Sequence, residues 1–198
     1  MGPPPLTLRR SRRSLPAHAP RARLSPVDVV RTYLEMRDPA ALRAAPVPGA
    51  ALRFERADPC PTALYRALYR EVGEAYHWRD RLAWSDEELA RHLARPFVEV
   101  WVLWVGEERA GYAELVRHDD GSVEIAYFGL RAPFHGRGLG GHLLTRTVER
   151  AWALGATRVW LHTCTLDGPA ALPNYVARGF TPYQTETYTV DVGGEEGG

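Results

Sequence analysis

The segment FHGRGLGGHLL, which runs from Phe134 to Leu144, constrains the fold most strongly because it places four glycines between a strand-forming and a helix-forming run. Glycine weakens the start of a helix unless the backbone needs a positive φ angle or approaches another group closely. A strand, a glycine loop and a helix amino terminus together present free backbone N–H groups and a helix dipole to an anion. The segment therefore predicts a phosphate-binding loop.

Helix and strand patterns alternate on both sides of this loop. Apolar residues recur at every third or fourth position in four predicted helices, at 61–76, 85–93, 139–154 and 169–178. β-Branched and aromatic residues mark six predicted strands, at 51–55, 97–105, 109–117, 123–130, 158–165 and 180–190. The second, third and fourth strands are joined by short turns, which predicts an antiparallel meander. We expect a mixed α/β domain built on one central sheet.

The amino-terminal part of the chain has a different character. Residues 1–24 carry six arginines among Pro, Ala and Ser, which predicts a disordered arm. A basic arm that touches nucleic acid or anionic lipid is the alternative. Ser25-Pro26 is typical of a helix N-cap followed by proline at the first helical position, so a helical extension is predicted over 25–45. The main domain is then expected over 46–198.

Composition narrows the classes of function. A formal net charge of +1 gives no global indication of nucleic acid or a membrane surface as partner. The chain has no lysine, which excludes a lysine nucleophile, a Schiff base and the Gly-Lys-Ser/Thr phosphate loop. Cys60 and Cys164 form neither a metal-binding nor a disulfide pattern, so a cytoplasmic protein without a metal is expected. Abundant Ala, Gly, Pro and Arg indicate a GC-rich bacterial genome.

A dinucleotide is the first alternative ligand for the loop, because Gly136, Gly138 and Gly141 have the spacing G-x-G-x-x-G. That pattern opens a parallel strand–helix–strand unit and is followed by an acidic residue on the next strand. Here the preceding strand belongs to a predicted antiparallel meander, and the strand at 158–165 contains no Asp or Glu. The pattern therefore argues against a dinucleotide.

Two linked motifs resemble those of the GNAT N-acetyltransferases. The strand 123–130 and the loop 135–140 are similar to the family's acyl-CoA motif, whose loop is Gln/Arg-x-x-Gly-x-Gly/Ala. The second motif of the family is matched by Ala171, Tyr175, Gly179 and Phe180. The resemblance covers about 51–190. It implies an α/β GNAT fold, with a mixed, mostly antiparallel central sheet, splayed central strands and flanking helices.

The resemblance also implies acetyl-CoA as co-substrate. In the family the glycine loop wraps the pyrophosphate, and the pantetheine arm pairs with the preceding strand as an added strand would. The coenzyme-binding residues implied here are Phe128, Gly129, Leu130, His135, Gly136, Arg137, Gly138, Leu139 and Gly140. His135 stands where the family has Gln or Arg. Its imidazole can donate to a phosphate oxygen but is fully charged only below about pH 6.5.

Two residues are implied to carry the chemistry. Glu124 precedes the loop at the distance of the base glutamate in the histone acetyltransferase branch of the family, and desolvation would raise its pKa towards a useful value. Glu114 on the adjacent strand is the reserve candidate. Tyr175 stands where many members place a tyrosine that protonates the coenzyme sulfur. The structural alternatives are a solvent-facing glutamate and a packed aromatic ring. The family's coenzyme-contacting Asn is replaced by Gly168.

The segment 76–84 is expected to form a wall of the acceptor cleft, with Arg79 or Arg81 available for a carboxylate. A structural loop anchored by tryptophan is the alternative. The predicted function is acetyl transfer from acetyl-CoA to an amine of a small molecule or peptide, by direct transfer in a ternary complex. A degenerate domain that binds coenzyme A as a sensor or partner module, and nucleic-acid binding by the arginine arm, are the rival functions. No membrane partner is expected, and the oligomeric state, a homodimer included, is left open.

Overall fold

A computed structural model describes residues 24–49 and 51–193 of the chain. The predicted arm at 1–24 lies outside the described residues except for Leu24. Residues 28–189 form one compact unit. Residues 24–27 and 190–193 belong to a second unit.

Seven strands and four α-helices are present among the described residues. The strands are β1 (Leu24–Met36), β2 (Leu52–Arg56), β3 (Val98–Val105), β4 (Glu108–Arg117), β5 (Ser122–Leu130), β6 (Arg158–Cys164) and β7 (Thr181–Gly193). The helices are α1 (Thr62–Gly73), α2 (Asp86–Leu93), α3 (Leu139–Ala153) and α4 (Ala171–Ala177). Short 3-10 turns lie at Pro39–Ala41, Glu74–Tyr76, Asp80–Ala83 and Ala132–Phe134. Every element predicted after residue 50 is confirmed in type and order.

The strands form one sheet in the order β2-β3-β4-β5-β6-β1-β7. Strands β2 to β5 pair antiparallel, as do β6 and β1, whereas β5 and β6 run parallel. Pairing between β5 and β6 is limited to 122–124 against 158–160, although β5 continues to Leu130. The two strands therefore separate after Glu124, and a gap about 20 Å long opens beside β5, at ~3.3 Å per residue. The mixed sheet with splayed central strands is confirmed.

The helix predicted within the extension at 25–45 is wrong. Leu24–Met36 is strand β1, which pairs with β6 through Leu34 opposite Leu161 and Met36 opposite Val159. Leu34 and Met36 are buried and Glu35 between them is not, which is the two-residue period of a strand. The Val and Thr residues of this segment also favour extended backbone. The part of the extension that is helical is the 3-10 turn after Asp38, where Asp38 Oδ1 accepts from Ala40 N at 2.8 Å.

The helices cover both faces of the sheet. Helix α3 packs Leu144 and Val148 against Leu161 on one face. Helix α1 packs Tyr65, Leu68 and other apolar residues on the opposite face. A fully buried Leu or Val stabilises the fold by roughly 1.5–3 kcal/mol. Within the described ranges, no helix is both long enough and apolar enough to span a membrane.

Helix α2 begins with a capping box. The Ser85 hydroxyl accepts from Glu88 N at 3.2 Å, and Glu88 Oε2 accepts from Ser85 N at 2.7 Å. This start fixes the register of the helix, so that Leu89 and His92 face the sheet and are buried. His92 thereby reaches Glu114 of β4, with Nε2 2.8 Å from Oε1.

Candidate active site

The glycine loop has the conformation that its sequence predicts. Gly136 and Gly138 have φ angles of +70° and +73°, in the left-handed region that favours glycine. A Cβ on Gly136 would meet nothing within 4 Å, so the backbone angle and not lack of space requires glycine there. Helix α3 starts at Leu139 with Gly138 as N-cap and without a side-chain capping bond. The amide groups of the first turn are therefore available to an anion.

Two side chains from α4 and its C-cap meet the first turn of α3, and sequence reasoning missed both. Asn174 Nδ2 lies 3.5 Å from Gly140 O. Arg178 Nη1 lies 3.1 Å from the position of a Cβ on Gly141. The Arg178 side chain forms no ion pair within the described part of the chain. A cation beside a helix amino terminus is unfavourable by itself, so this arrangement suits a bound anion.

The imidazole of His135, which is predicted to be able to donate to a phosphate oxygen, uses one ring nitrogen within the protein. Its Nε2 lies 2.9 Å from Leu130 O, to which the ring N–H donates, and its backbone N–H bonds to Ala132 O at 3.1 Å. The side chain therefore closes the end of β5. Arg137, by contrast, lies over the ring of Phe134 at 5.2 Å and is exposed.

The edge of β5 that faces the gap carries the predicted pantetheine contacts. Phe128, Gly129 and Leu130 pair with β4 on one side, and in the described residues no strand pairs with their other side. A Cβ on Gly129 would lie 2.5 Å from Val72 Cγ1. Glycine at this position therefore permits the close approach of α1, independently of any coenzyme.

Glu124 lies where the gap begins, opposite Trp160 of β6. Its Oε2 is 3.1 Å from His118 Nε2, and its side chain is 18% exposed. Burial raises the pKa of the Glu124 carboxyl above its ordinary value, and the hydrogen bond and charge of His118 partly oppose that rise. A carboxylate with a raised pKa at the mouth of a gap is suited to accept a proton.

A β-bulge in β5 determines which of its side chains lie on the same face of the sheet as Glu124. Glu114 of β4 lies opposite Tyr127, while Leu115 lies opposite Ile125, so Ala126 has no partner. The extra residue shifts the alternation of β5, and Glu124 and Tyr127 face the same side of the sheet although they are three positions apart. This is the side covered by α1 and α2.

Glu114, on the same face, has a different environment. It is fully buried and accepts from the Tyr65 hydroxyl, from His92 Nε2 at 2.8 Å and from Arg81 Nη2 at 3.4 Å. Burial opposes its charge, but the His92 hydrogen bond and the Arg81 charge outweigh that effect and hold the pKa of the Glu114 carboxyl below its ordinary value. Glu114, the reserve candidate for the base, is therefore the central acceptor of a buried hydrogen-bond network.

Tyr175 lies on the opposite side of the sheet. It is 6% exposed and packs edge-on against Phe128 at 5.9 Å and Phe180 at 6.3 Å between ring centres. Burial, with a smaller effect from the charge of Asp167, raises the pKa of the Tyr175 hydroxyl well above its ordinary value. The hydroxyl is therefore protonated at neutral pH. Among the described residues, no group forms a hydrogen bond with it.

The predicted acceptor wall at 76–84 faces β5. Asp80 Oδ2 lies 3.4 Å from the Tyr127 hydroxyl. Arg81 stacks over Trp84 at 4.0 Å and pairs with Glu114, so it is engaged inside the protein and not free for an acceptor carboxylate. Arg79 lines a surface cavity of about 300 Å³ together with Arg70, Glu74, His77, Trp78 and Leu82. Neither Glu124 nor Tyr175 lines this cavity.

The remaining polar side chains agree with the roles that isolated residues usually have. His92 is satisfied by Glu114, and His162 is exposed on β6 with its ring 5.7 Å from that of Tyr33. Within 24–49 and 51–193, no group of three or more His, Cys, Asp or Glu side chains is arranged to hold a metal ion.

The sequence and the fold resemble those of known acetyltransferases. A mycothiol acetyltransferase of Corynebacterium efficiens is 31% identical over 112 residues, which are 54% of this chain and 38% of the relative. The chain thus spans about two fifths of the length of the curated relatives that it matches. A GCN5-related N-acetyltransferase from Sphaerobacter thermophilus has a similar fold, with a TM-score of 0.64 at 16% identity, covering 85% of this chain and 53% of that one.

An aminoglycoside acetyltransferase from an uncultured soil metagenomic sample also shares the fold. Its TM-score is 0.54 at 17% identity, over 64% of this chain and 86% of that one. The model of the acetyltransferase (GNAT) family matches residues 63–180, which include the glycine loop, Glu124 and Tyr175. That match covers more than half of the sequence, and this chain belongs to the GNAT acetyltransferase family.

Proposed function

We propose that this acyltransferase moves an acetyl group from acetyl-CoA to an amine of a small molecule or peptide, by direct transfer in a ternary complex. The observation that carries the proposal is the gap between β5 and β6. The gap begins at Glu124 on one side of the sheet, and Tyr175 lies on the other side. Strand β5 runs from Glu124 along the gap to the glycine loop. A base and an acid thus flank one channel from opposite sides.

The loop fits the phosphates of acetyl-CoA, which supplies an activated acyl thioester. Two positive-φ glycines expose the first amides of α3, and Arg178 contributes a cation without an acidic partner in the described residues. Backbone amides and a guanidinium are the groups that bind phosphate most effectively in proteins. Gly136, Gly138 and Gly140 form the loop itself, and the pantetheine arm extends along Phe128 and Gly129.

The two candidate catalytic residues have complementary protonation states. An ammonium acceptor loses two protons in the reaction, because one nitrogen proton remains in the amide product. Glu124 accepts a proton from the acceptor nitrogen, which then attacks the thioester carbonyl. Tyr175 donates its proton to the departing sulfur, and the bond between sulfur and carbonyl carbon breaks. The second nitrogen proton passes to the Tyr175 phenolate and restores its hydroxyl, so the one proton released to solvent in each turnover is the proton held by Glu124.

Small-molecule amines are the acceptors that the comparisons favour. A mycothiol acetyltransferase and an aminoglycoside acetyltransferase are among the similar proteins. The face that carries Glu124 also presents the Asp80 carboxylate, which lies at the Tyr127 hydroxyl and can pair with a cationic amine. The acceptor is therefore proposed to enter from the side of the α1–α2 connection.

The test is a panel of amines, amino acids, aminoglycosides and peptides incubated with acetyl-CoA. Release of free thiol and the mass of an acetylated product identify the acceptor. Thiol release with at least one amine is the expected result. Coenzyme A binding without thiol release across the panel would instead support a binding module that lacks turnover.

Gly138→Asp tests the coenzyme site in the same assay. It adds a side chain and a negative charge at the amino terminus of α3, so coenzyme A binding measured by calorimetry should be lost. Gly155→Asp is the matched control, because Gly155 follows the other end of α3, has a φ angle of +80° and has nothing within 4 Å of its Cβ position. Equal loss of affinity in the two folded variants would contradict the phosphate assignment.

A further inference from the structure

A proton that Glu124 accepts during the reaction must leave through a group that contacts its carboxylate. In the described residues, the titratable side chain hydrogen-bonded to Glu124 is His118, with Nε2 3.1 Å from Oε2. His118 belongs to the turn between β4 and β5, where its backbone N–H bonds to Ser122 O at 2.9 Å. Its ring also packs on Trp160 of β6, with ring centres 5.7 Å apart. The hairpin and the neighbouring strand thus hold the imidazole against Glu124.

The two side chains differ in their access to solvent. The Glu124 side chain is 18% exposed and lies on the face where the acceptor is proposed to bind. The His118 side chain is 39% exposed, at the outer end of the hairpin. An acceptor seated over Glu124 reduces the contact of its carboxyl with water, whereas His118 stays at the surface. The Glu124–His118 pair therefore forms a hydrogen-bonded connection between the start of the gap and solvent.

The charged groups around the pair are compatible with transient charge on the imidazole. Asp120 lies in the same turn, where its Oδ1 accepts from Ser122 N at 2.8 Å, and Arg158 of β6 lies opposite Ser122. Glu114 of β4 and Arg81 of the α1–α2 connection act on Glu124 with opposite signs. The turn thus carries two acidic side chains, Asp119 and Asp120, directly after His118 in the sequence.

We propose that His118 passes the proton taken up by Glu124 to solvent, so that the Glu124–His118 pair acts as the proton exit of the acetyl transfer reaction. The inference rests on the proposed function. When Glu124 is protonated, the Nδ1–H tautomer of the His118 ring accepts that proton at Nε2 and releases its Nδ1 proton to water. This leaves a Glu124 carboxylate that accepts from Nε2–H, which fits the 3.1 Å contact. Exchange of the ring proton with water returns the Nδ1–H tautomer for the next turnover. His118 is a positioning residue in this scheme, because it touches Glu124 and not the reacting atoms.

Two variants separate proton transfer from structure. His118→Gln keeps a donor for the Glu124 carboxylate but cannot carry a proton, and His118→Ala leaves space for a free imidazole. Both should lower turnover roughly tenfold while coenzyme A affinity is unchanged. Added imidazole should restore most of the turnover of His118→Ala and none of that of Glu124→Gln. Parental turnover in His118→Gln, or a loss in His118→Ala that imidazole does not restore, would overturn the proposal.

A second readout does not depend on turnover. Carbon NMR titration of the Glu124 carboxyl should give a higher pKa in His118→Ala than in the parent, because the hydrogen bond and charge that lower it are removed. An unchanged Glu124 pKa would show that the two groups are not coupled and would refute the exit. If the parent acetylates no amine but the Glu124 pKa does shift, the proposed function fails while the coupled pair is retained.

Discussion

Glu114 and Glu124 occupy neighbouring strands, face the same side of the sheet and have opposite surroundings. Glu114 is fully buried and has three partners, which come from α1, the α1–α2 connection and α2. Glu124 is partly exposed and, among the described residues, has one hydrogen-bond partner, His118. The pKa of the first carboxyl is lowered and that of the second is raised. The number of partners, more than the depth of burial, separates a structural carboxylate from one that can accept a proton.

Two buried tyrosines, Tyr65 and Tyr175, also differ in whether their hydroxyl has a partner in the protein. The hydroxyl of Tyr65 donates to Glu114. The hydroxyl of Tyr175 forms no hydrogen bond within the described residues, although its ring is packed between Phe128 and Phe180. A hydroxyl without a protein partner remains available to a substrate atom.

The largest expected effect is the loss of stability in Glu114→Gln. The substitution keeps the shape of the side chain but leaves Arg81 without its counter-charge, and breaking a buried ion pair on one side costs about 3–5 kcal/mol. Chemical denaturation measures the change, and Glu124→Gln is the matched control that should be nearly neutral. A similar loss of stability in the two variants would show that Glu114 is no more important to the fold than Glu124.

The second effect concerns the tyrosines. Tyr65→Phe should cost about 1.5–3 kcal/mol of stability, since it removes a hydrogen bond to a charged group. Tyr175→Phe should leave the fold intact and lower turnover at least about tenfold, as expected for a general acid. The loss should shrink with an acyl donor whose thiol is more acidic. Normal turnover of Tyr175→Phe would assign its ring to packing alone.

The architecture after residue 50 could be predicted because each element there is encoded by local pattern. The capping box before α2 and the glycine loop before α3 are examples. Strand β1 could not be predicted in this way. Its Ser-Pro start is compatible with a helix, and its partner β6 is far away in sequence, as the contact between Val30 and Thr165 illustrates. Tertiary pairing overrode the local signal.

The candidate site was predictable only in part for a similar reason. Glu124, Tyr175 and the loop lie at recognisable distances along the chain. The role of Glu114 depends on Tyr65, Arg81 and His92, which three separate segments bring together. The bulge at Ala126 and the approach of Arg178 to α3 likewise leave no pattern in the sequence. Convergence in space, and not residue type, decides these roles.

The smallest expected effect is on the pH dependence of stability. Because the folded-state pKa of Glu114 is lowered, its contribution is present above the pKa of the unfolded chain and is lost as the pH falls. Because the folded-state pKa of Glu124 is raised, its contribution is present at low pH and is lost as the pH rises through that value. Glu124→Gln should therefore be slightly more stable than the parent at neutral pH, as denaturation at pH 5 and 8 can measure. A variant that is less stable than the parent at pH 8 would contradict the raised pKa.

The pH profile of kcat/KM, measured for the parent and Glu124→Gln with the best acceptor of the amine panel, tests the central claim most directly. If Glu124 is the base, activity of the parent rises with pH through a pKa above the ordinary glutamate value. Glu124→Gln should lose that limb, with its largest deficit below the pKa of the acceptor amine and with unchanged coenzyme A affinity. Profiles that superimpose would show that Glu124 is not the base and that the contrast with Glu114 has no catalytic meaning.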